Sequence, residues 1–339
     1  MSPKEPIFVV GTGRCGSTAL SDVIRTNPRW LGLSELFNGL TPGAFPGEPL
    51  TGAAFAAKLS CRRLDYRVLL ANHLEPREFL YRVDDPGSRF TRDTGVPAIS
   101  MTVLPTLSDE PDLLLDEVLA EVEHWPEAPI DAHYRQLFEW LRERHDGERW
   151  LERSGGSLDY LDSLLELFPE ARFVHIYRAG ADCALSMARH PSFRMLILRT
   201  RMRMRLGVDP YAGEAAPAEA GAFANLLPDN FDVDTFLGDS IPLWWFAGTW
   251  TSQIARGVSA LASLSPERVL HMRYEDVVAD PVGQVERFAT FVDGDVDAAW
   301  AREAARVIAR DSPGSSGELV KTARAIVERG EKVLREAGL

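Results

Sequence analysis

A short glycine-rich segment near the start of the chain has the residue types and spacing of an anion-binding loop. The four apolar residues Ile7 to Val10 are followed by Gly11-Thr-Gly-Arg-Cys-Gly-Ser-Thr18. Apolar residues then recur with helical spacing until Asn27-Pro28 ends the pattern. In such a strand–loop–helix unit, backbone N–H groups and the positive end of the helix dipole converge on one point. The segment therefore predicts a site for an anionic group.

The loop differs from the ATP-binding loop at its one charged position. Two glycines and a threonine fit the frame G-x-x-x-x-G-K-[ST], but Ser17 stands in place of the lysine and the positive charge is at Arg14. A loop without that lysine holds β- and γ-phosphates with magnesium poorly. The strand-like segment 173–177 is followed by Arg178, and not by an Asp that could help to hold magnesium. Both departures speak against a nucleotide-dependent kinase, which remains a rival hypothesis.

Strand-like and helix-like segments alternate around this loop. Further candidate strands begin at Trp30, Trp150, Arg172 and Val269. Strands that alternate with helices predict an α/β fold, with a P-loop-like parallel sheet flanked by helices. We expect a single domain over residues 1–339, with approximately 41–131 and 207–240 as helical or loop insertions on the side of the substrate. A further strand is expected within 96–104.

The composition excludes several other classes of protein. Lys plus Arg is 37 and Asp plus Glu is 50, so the net charge of −13 argues against nucleic-acid binding. No apolar run approaches the roughly 20 residues of a membrane span. The apolar run at Ile7 is also too short for a signal peptide, so we expect a cytoplasmic protein. Cys15, Cys61 and Cys183 show no paired spacing, which predicts neither a zinc site nor a disulfide.

Two segments together resemble sulfotransferases that use 3′-phosphoadenosine 5′-phosphosulfate (PAPS). Phe8-Val-Val-Gly-Thr-Gly-Arg-Cys-Gly-Ser-Thr18 resembles the family's 5′-phosphosulfate loop, and Tyr177-Arg-Ala-Gly-Ala-Asp-Cys-Ala-Leu-Ser186 resembles its 3′-phosphate motif. Segments 150–157 and 268–276 are similar to further elements of the family. The resemblance implies a sulfotransferase domain that consumes PAPS, releases 3′-phosphoadenosine 5′-phosphate (PAP) and needs no metal. A non-catalytic nucleotide-binding protein is the second rival hypothesis.

The resemblance also implies which residues bind the donor. These are Gly13, Arg14, Cys15, Gly16, Ser17 and Thr18 in the loop, with Arg178 and Ser186 at the 3′-phosphate. Arg14 stands where many members have Lys, and we expect it to stabilise transition-state charge without donating a proton. Arg153 is a further candidate contact, and 312–317 is either a nucleotide-covering loop or a linker. Both anion sites follow strands, so we expect them at the carboxyl edge of one sheet.

The acceptor hydroxyl needs a general base, and the sequence leaves two kinds of candidate. In family branches that use Glu, this residue lies just after the second strand, where Glu35 stands by chain order. Other branches use His, and His73 or His124 in the first insertion could reach a cleft. We take Glu35 as the predicted base and His73 as its main competitor. The acceptor could be a small molecule, a glycan or a lipid.

An arginine-rich stretch near position 200 has a simpler interpretation. Arg199, Arg201, Arg203 and Arg205 interleave with Met and Leu residues. An anion-attracting surface is one possibility, but helical i, i+4 spacing favours a solvated helix face.

Overall fold

The computed structural model describes residues 4–308, 319 and 321–339. Its centre is one sheet of parallel strands: β1 (Ile7–Gly11), β2 (Trp30–Ser34), β3 (Arg149–Arg153), β4 (Arg172–Tyr177) and β5 (Val269–Arg273). Their order across the sheet is β2-β3-β1-β4-β5. The predicted α/β fold with a P-loop-like parallel sheet is confirmed. The candidate loop 312–317 lies outside the described residues.

Helices flank this sheet. In the described part of the chain the α-helices are α1 (Ser17–Thr26), α2 (Leu36–Leu40), α3 (Gly52–Leu59), α4 (Leu64–Ala71), α5 (Ala98–Thr102), α6 (Leu104–Leu107), α7 (Pro111–Glu123), α8 (Ile130–Arg144), α9 (Leu161–Leu167), α10 (Gly180–Arg189), α11 (Pro191–Leu206), α12 (Val233–Gly238), α13 (Trp244–Leu261), α14 (Tyr274–Ala279), α15 (Pro281–Asp293), α16 (Ala298–Ile308) and α17 (Lys321–Glu336). Shorter 3₁₀ helices lie at Ser157–Asp159, Pro210–Ala212, Gly221–Leu226, Pro228–Asn230 and Pro266–Arg268.

Strand β1 is the middle strand and is buried along its whole length. It pairs with β3 on one side and with β4 on the other, which explains why its residues are apolar on both faces. The register places Ser34 of β2 and Val9 of β1 on either side of Arg153 at the end of β3. The segments that follow these parallel strands therefore meet at the same edge of the sheet.

The prediction of a strand within 96–104 is wrong, because this stretch forms α5 and the start of α6. Pro97 is the N-cap of α5, and all five residues of the helix are buried. The hydroxyl of Thr102 donates to the carbonyl of Ser34 at 2.6 Å, which ties the helix to the end of β2. Tertiary packing thus overrides the β-branched character of the sequence.

The arginine-rich stretch forms the second half of α11, and the predicted solvated face is wrong for Arg199 and Arg201. Arg201 is partly buried and paired with Asp239. Arg199 donates to the carboxylates of Asp65, at 2.5 Å, and Asp209, at 2.9 Å. The side chain of Asp209 is fully buried. Arg205, on the same helix, is exposed. The stretch therefore contains both a buried ion cluster and a solvated residue.

Two structural features are absent from the described residues, a membrane-spanning helix and a metal-binding cluster. Among these residues, no helix combines the length and the apolar composition needed to cross a membrane. Within the same ranges, no group of three or more His, Cys, Asp or Glu side chains is arranged to hold a metal ion.

Candidate active site

The loop between β1 and α1 has the backbone geometry of an anion-binding turn. Gly13, Arg14 and Gly16 adopt positive φ angles of 70°, 55° and 92°. A Cβ atom at Gly16 would lie 2.0 Å from the ring of Tyr274, so both the backbone angle and the close approach require glycine. Gly16 is the N-cap of α1, and no side chain accepts a hydrogen bond at this end of the helix. The first N–H groups of α1 are therefore oriented toward a site where an anion can bind.

The side chains of the loop fall into two groups. Cys15 is fully buried, and burial raises the pKa of its thiol. Ser17 is also buried, whereas Arg14 and Thr18 are partly exposed. Cys15, predicted to bind the donor, can contribute only through its backbone. Arg14 and Thr18 are the loop residues whose side chains are available to a ligand.

Arg14 connects the loop to α10. Its Nε donates to the hydroxyl of Ser186 at 3.1 Å, and its Nη1 donates to Glu78 Oε1 at 2.9 Å. Ser186 lies on α10, which follows β4, so the predicted 5′ and 3′ anion sites meet at this side chain. A residue of the predicted 5′-phosphosulfate loop is therefore in direct contact with a residue predicted to bind the 3′-phosphate.

Arg178 follows β4 directly and is buried beside the same loop. Its Nη1 lies 3.5 Å from the carbonyl oxygen of Arg14 and its Nη2 lies 3.4 Å from the carboxylate of Asp182. The guanidinium also stacks over the ring of Tyr274, at 4.8 Å from the centroid. Its buried Nε has no hydrogen-bond partner among the described residues. The guanidinium of Arg178 thus has only long contacts, and its Nε–H is available to donate a hydrogen bond to an anion.

Glu35 follows β2 and carries a dense set of contacts. Its carboxylate forms an ion pair with Arg153, whose side chain is 3% exposed. It also accepts hydrogen bonds from the backbone N–H of Gly155, at 3.2 Å, and from Asn38, at 2.5 Å. A Cβ atom at Gly155 would lie 3.4 Å from Glu35 Oε1 and 3.5 Å from Gly13 Cα. Glu35 is therefore close to the loop, while Arg153 lies beneath Glu35.

The two histidines that compete with Glu35 are placed differently. His73 follows α4 and is exposed, with its backbone N–H donating to the carbonyl of Leu70 at 3.2 Å. His124 is the C-cap of α7 and is also exposed. Among the three candidate bases, Glu35 alone has a described contact with the segments that surround the loop.

Glu78 is a residue of the site that sequence reasoning did not find. Glu78 Oε1 accepts from the hydroxyl of Thr18 at 3.3 Å as well as from Arg14, and its Oε2 lies 3.6 Å from His190 Nε2. Burial opposes ionisation of Glu78, but the neighbouring His190 and the charge of Arg14 outweigh it and hold the pKa of the carboxyl below its usual range. Glu78 belongs to the first insertion, and no local spacing in the sequence connects it with the loop.

A buried carboxyl group lies under the same edge of the sheet. Glu152, on β3, is 1% exposed and accepts a hydrogen bond from the hydroxyl of Ser154 at 2.5 Å. Burial raises its pKa to about 8, and the nearby charge of Glu35 adds to the effect. At neutral pH this group is therefore largely protonated, and the net negative charge next to Glu35 is kept low.

The parallel sheet and the glycine-rich turn define a P-loop-like α/β protein with arginines at the edge of the sheet. Residues 6–231 and 235–298 match the sulfotransferase family. Because the match covers most of the chain, the protein belongs to this family. A search of curated proteins found no sequence match.

Several solved sulfotransferase structures are similar to this chain at low sequence identity. The sulfotransferase domain of the curacin biosynthetic pathway has a TM-score of 0.48 and 13% identity, with 99% of each chain covered. A sulfotransferase from Mycobacterium avium has a TM-score of 0.46 and 17% identity, covering 99% of this chain and 76% of the other. One from Alicyclobacillus acidocaldarius has a TM-score of 0.41 and 16% identity, covering 98% and 95%.

Proposed function

We propose that this protein transfers the sulfuryl group of PAPS to a hydroxyl group of an acceptor. The observation that carries the proposal is the meeting of Arg14, Ser186 and Arg178 at the start of α1. These residues supply two cations and a hydroxyl where the sequence predicts the two anionic ends of the donor. Membership of the sulfotransferase family supports the same reaction.

The residues at this edge fit a donor with phosphate groups at both ends. The uncapped start of α1, together with Arg14 and Thr18, would hold the phosphosulfate. Arg178 and Ser186 would hold the 3′-phosphate, and the unpartnered Nε of Arg178 supports this assignment. The guanidinium of Arg14 contacts Ser186 on α10. Its fixed positive charge would stabilise the charge that develops on the transferring oxygens.

We propose Glu35 as the base that accepts the proton of the acceptor hydroxyl. As that proton leaves, the acceptor oxygen bonds to sulfur and the bond between sulfur and the bridging phosphate oxygen breaks, which releases PAP. The N–H of Gly155 and the guanidinium of Arg153 hold the Glu35 carboxylate in one orientation. Its side chain is 15% exposed, so a substrate hydroxyl can reach it.

The acceptor would bind on the side of the two insertions. Residues 41–131 supply Glu78 and the helices α3 to α7, and residues 207–240 supply short helices beyond α11. We propose that both belong to a single sulfotransferase domain that spans residues 1–339.

The test combines nucleotide binding with transfer of a label. The purified protein is titrated with PAP and with ADP by calorimetry and then incubated with ³⁵S-labelled PAPS and a library of hydroxyl-bearing acceptors. We expect binding of PAP in preference to ADP, and a labelled product whose mass shows one added sulfuryl group. Transfer of phosphate from ATP in a parallel reaction would identify a kinase instead. Binding of PAP with no transfer to any acceptor would favour a non-catalytic nucleotide-binding protein.

A further inference from the structure

The carboxylate of Glu78 occupies groups that a bound anion would use. Its Oε1 lies 2.9 Å from Arg14 Nη1 and 3.3 Å from Thr18 Oγ1. These are the loop residues whose side chains are available to a ligand. Since the carboxylate is ionised at neutral pH and its side chain is only 17% exposed, it neutralises this part of the site from within the protein.

A second anion cannot share these contacts at low cost. The phosphosulfate of the donor would bring further negative charge to within a few ångströms of a partly buried carboxylate, and like charges at that distance repel strongly. The hydroxyl of Thr18 has a single hydrogen, which it already donates to Glu78, so it could not donate to a second acceptor at the same time. Binding of the donor and the observed position of Glu78 therefore oppose each other.

We propose that Glu78 acts as an internal anion that competes with the donor for Arg14 and Thr18 and leaves the loop when the donor binds. This inference rests on the proposed function for the identity of the donor. Glu78 would set the affinity and the selectivity of the site, because only a ligand that makes enough additional contacts can replace it. The 3′-phosphate contacts of Arg178 and Ser186 would provide such contacts.

The segment that carries Glu78 is tied down on both sides of it. The N–H of Leu74 donates to the carbonyl of Leu69 at 2.9 Å, and the N–H of Leu80 donates to the carbonyl of Met101 at 2.8 Å. Between these ties, the N–H of Phe79 donates to the carbonyl of Pro76 at 2.9 Å, which closes a short turn. Glu78 can therefore leave the loop through a local change in this turn while both ties remain.

The other partners of Glu78 show what remains after it leaves. Arg14 keeps its hydrogen bond from Nε to Ser186, so its guanidinium stays at the edge of the sheet. His190 follows α10 directly and remains beside the vacated position. The departing carboxylate thus exposes the Nη1 group of Arg14 and the hydroxyl of Thr18 without disturbing the rest of the site.

The experiment measures anion affinity in Glu78→Gln and Glu78→Ala. PAP and inorganic pyrophosphate are titrated by calorimetry into the wild type, both variants and Glu75→Gln. Glu75→Gln removes the same charge from the same segment, but in the wild type the carboxylate of Glu75 pairs with Arg92 and not with the loop. Thermal unfolding confirms that each variant is folded. We expect PAP to bind both Glu78 variants about 5- to 50-fold more tightly than the wild type, with pyrophosphate changing in the same direction. Glu75→Gln should leave both affinities unchanged.

The outcomes separate this inference from the proposed function. If the wild type binds PAP and the Glu78 variants bind it equally or more weakly, Glu78 orients Arg14 and the competition is disproved. If no form binds PAP but the Glu78 variants gain affinity for pyrophosphate, the donor is misidentified and Glu78 still competes with anions. If Glu75→Gln gains as much affinity as Glu78→Gln, the loss of any negative charge from this segment raises anion affinity, and the inference fails.

Discussion

Two groups of arginines in this protein differ in how fully their charges are compensated. Arg199 donates to Asp65 at 2.5 Å and to Asp209 at 2.9 Å, and Arg63 adds a further contact to Asp65 at 2.5 Å. Arg178, at the edge of the sheet, has contacts of 3.4 and 3.5 Å and one Nε with no described partner. Both groups are largely buried. Burial of a charge therefore does not by itself separate a structural arginine from the proposed ligand-binding one, and the two differ in how complete their contacts are.

The difference has a physical cause. A buried guanidinium with short contacts to carboxylates has recovered much of its lost hydration, and its removal leaves those carboxylates under-compensated. A guanidinium with long contacts has recovered less and gains more when an anion arrives. On this basis, the cluster of Arg63, Arg199, Asp65 and Asp209 holds α4 and α11 together, and we propose that Arg178 binds a ligand.

The largest expected effect is the loss of kcat in a variant of Glu35. It also challenges the comparison of fully and incompletely paired charges most strongly. Glu35 is as fully paired as the structural cluster, yet we propose it as the base. Glu35→Gln keeps the size of the side chain but cannot take up a proton at neutral pH. We expect kcat to fall by about 10²- to 10⁴-fold, with PAP affinity nearly unchanged. Steady-state kinetics and calorimetry measure the two quantities.

His73→Ala is the control for this assignment. Near-full activity in Glu35→Gln, together with complete loss in a folded His73→Ala, would transfer the role of base to the histidine. A large loss of thermal stability in Glu35→Gln with kcat retained would instead make Glu35 a structural residue, like Asp65.

The next effect concerns stability. Arg199→Ala removes the shared partner of Asp65 and Asp209, although Arg63 and Arg203 still contact these carboxylates. We expect the free energy of unfolding to fall by about 2–3 kcal/mol, as measured by urea denaturation. Arg205→Ala, an exposed residue on the same helix, should change it by less than about 0.5 kcal/mol. Equal effects of the two substitutions would remove the distinction drawn above.

The ligand-binding side of the comparison predicts an effect on affinity. Arg178→Ala removes a charge-assisted contact and should weaken PAP binding by about 1.5–3 kcal/mol in calorimetry. Adenosine 5′-phosphate lacks the 3′-phosphate, so its affinity should hardly change. Equal weakening for both nucleotides would show that Arg178 supports the loop and does not contact the 3′-phosphate.

The smallest effect is the dependence of stability on pH. Burial opposes ionisation of Asp65, but the charges of Arg63 and Arg199 outweigh it and lower the pKa of the carboxyl. A lowered pKa in the folded state stabilises the protein above the unfolded value of about 4, and this contribution disappears as the pH falls below it. Asp65→Asn should therefore show a shallower loss of stability between pH 5 and pH 3 in urea titrations. An unchanged slope would mean that Asp65 does not contribute to acid unfolding.

The sequence was most informative where one short segment contains both the structural and the chemical information. The strand–loop–helix unit at Ile7 to Thr26 could be predicted because an apolar run, closely spaced glycines and a helical stripe are all local signals. The parallel sheet followed from the alternation of strands and helices. Arg14, Arg178 and Glu35 could be placed at one edge because all three follow strands of that sheet.

The tertiary structure decided what depends on contacts between distant segments. Glu78 reaches Arg14 across 64 positions of the chain, and Arg199 reaches Asp65 across 134. The helix at 98–102 also formed against its local β-branched pattern, because the end of β2 and its neighbours bury it.

Local sequence by itself thus determined the glycine-rich loop, the charges beside it and the class of fold, since backbone propensity and apolar periodicity act over a few residues. Only the folded chain determined which of those charges are compensated. Compensation depends on where distant side chains come to lie, and no spacing in the sequence records that position.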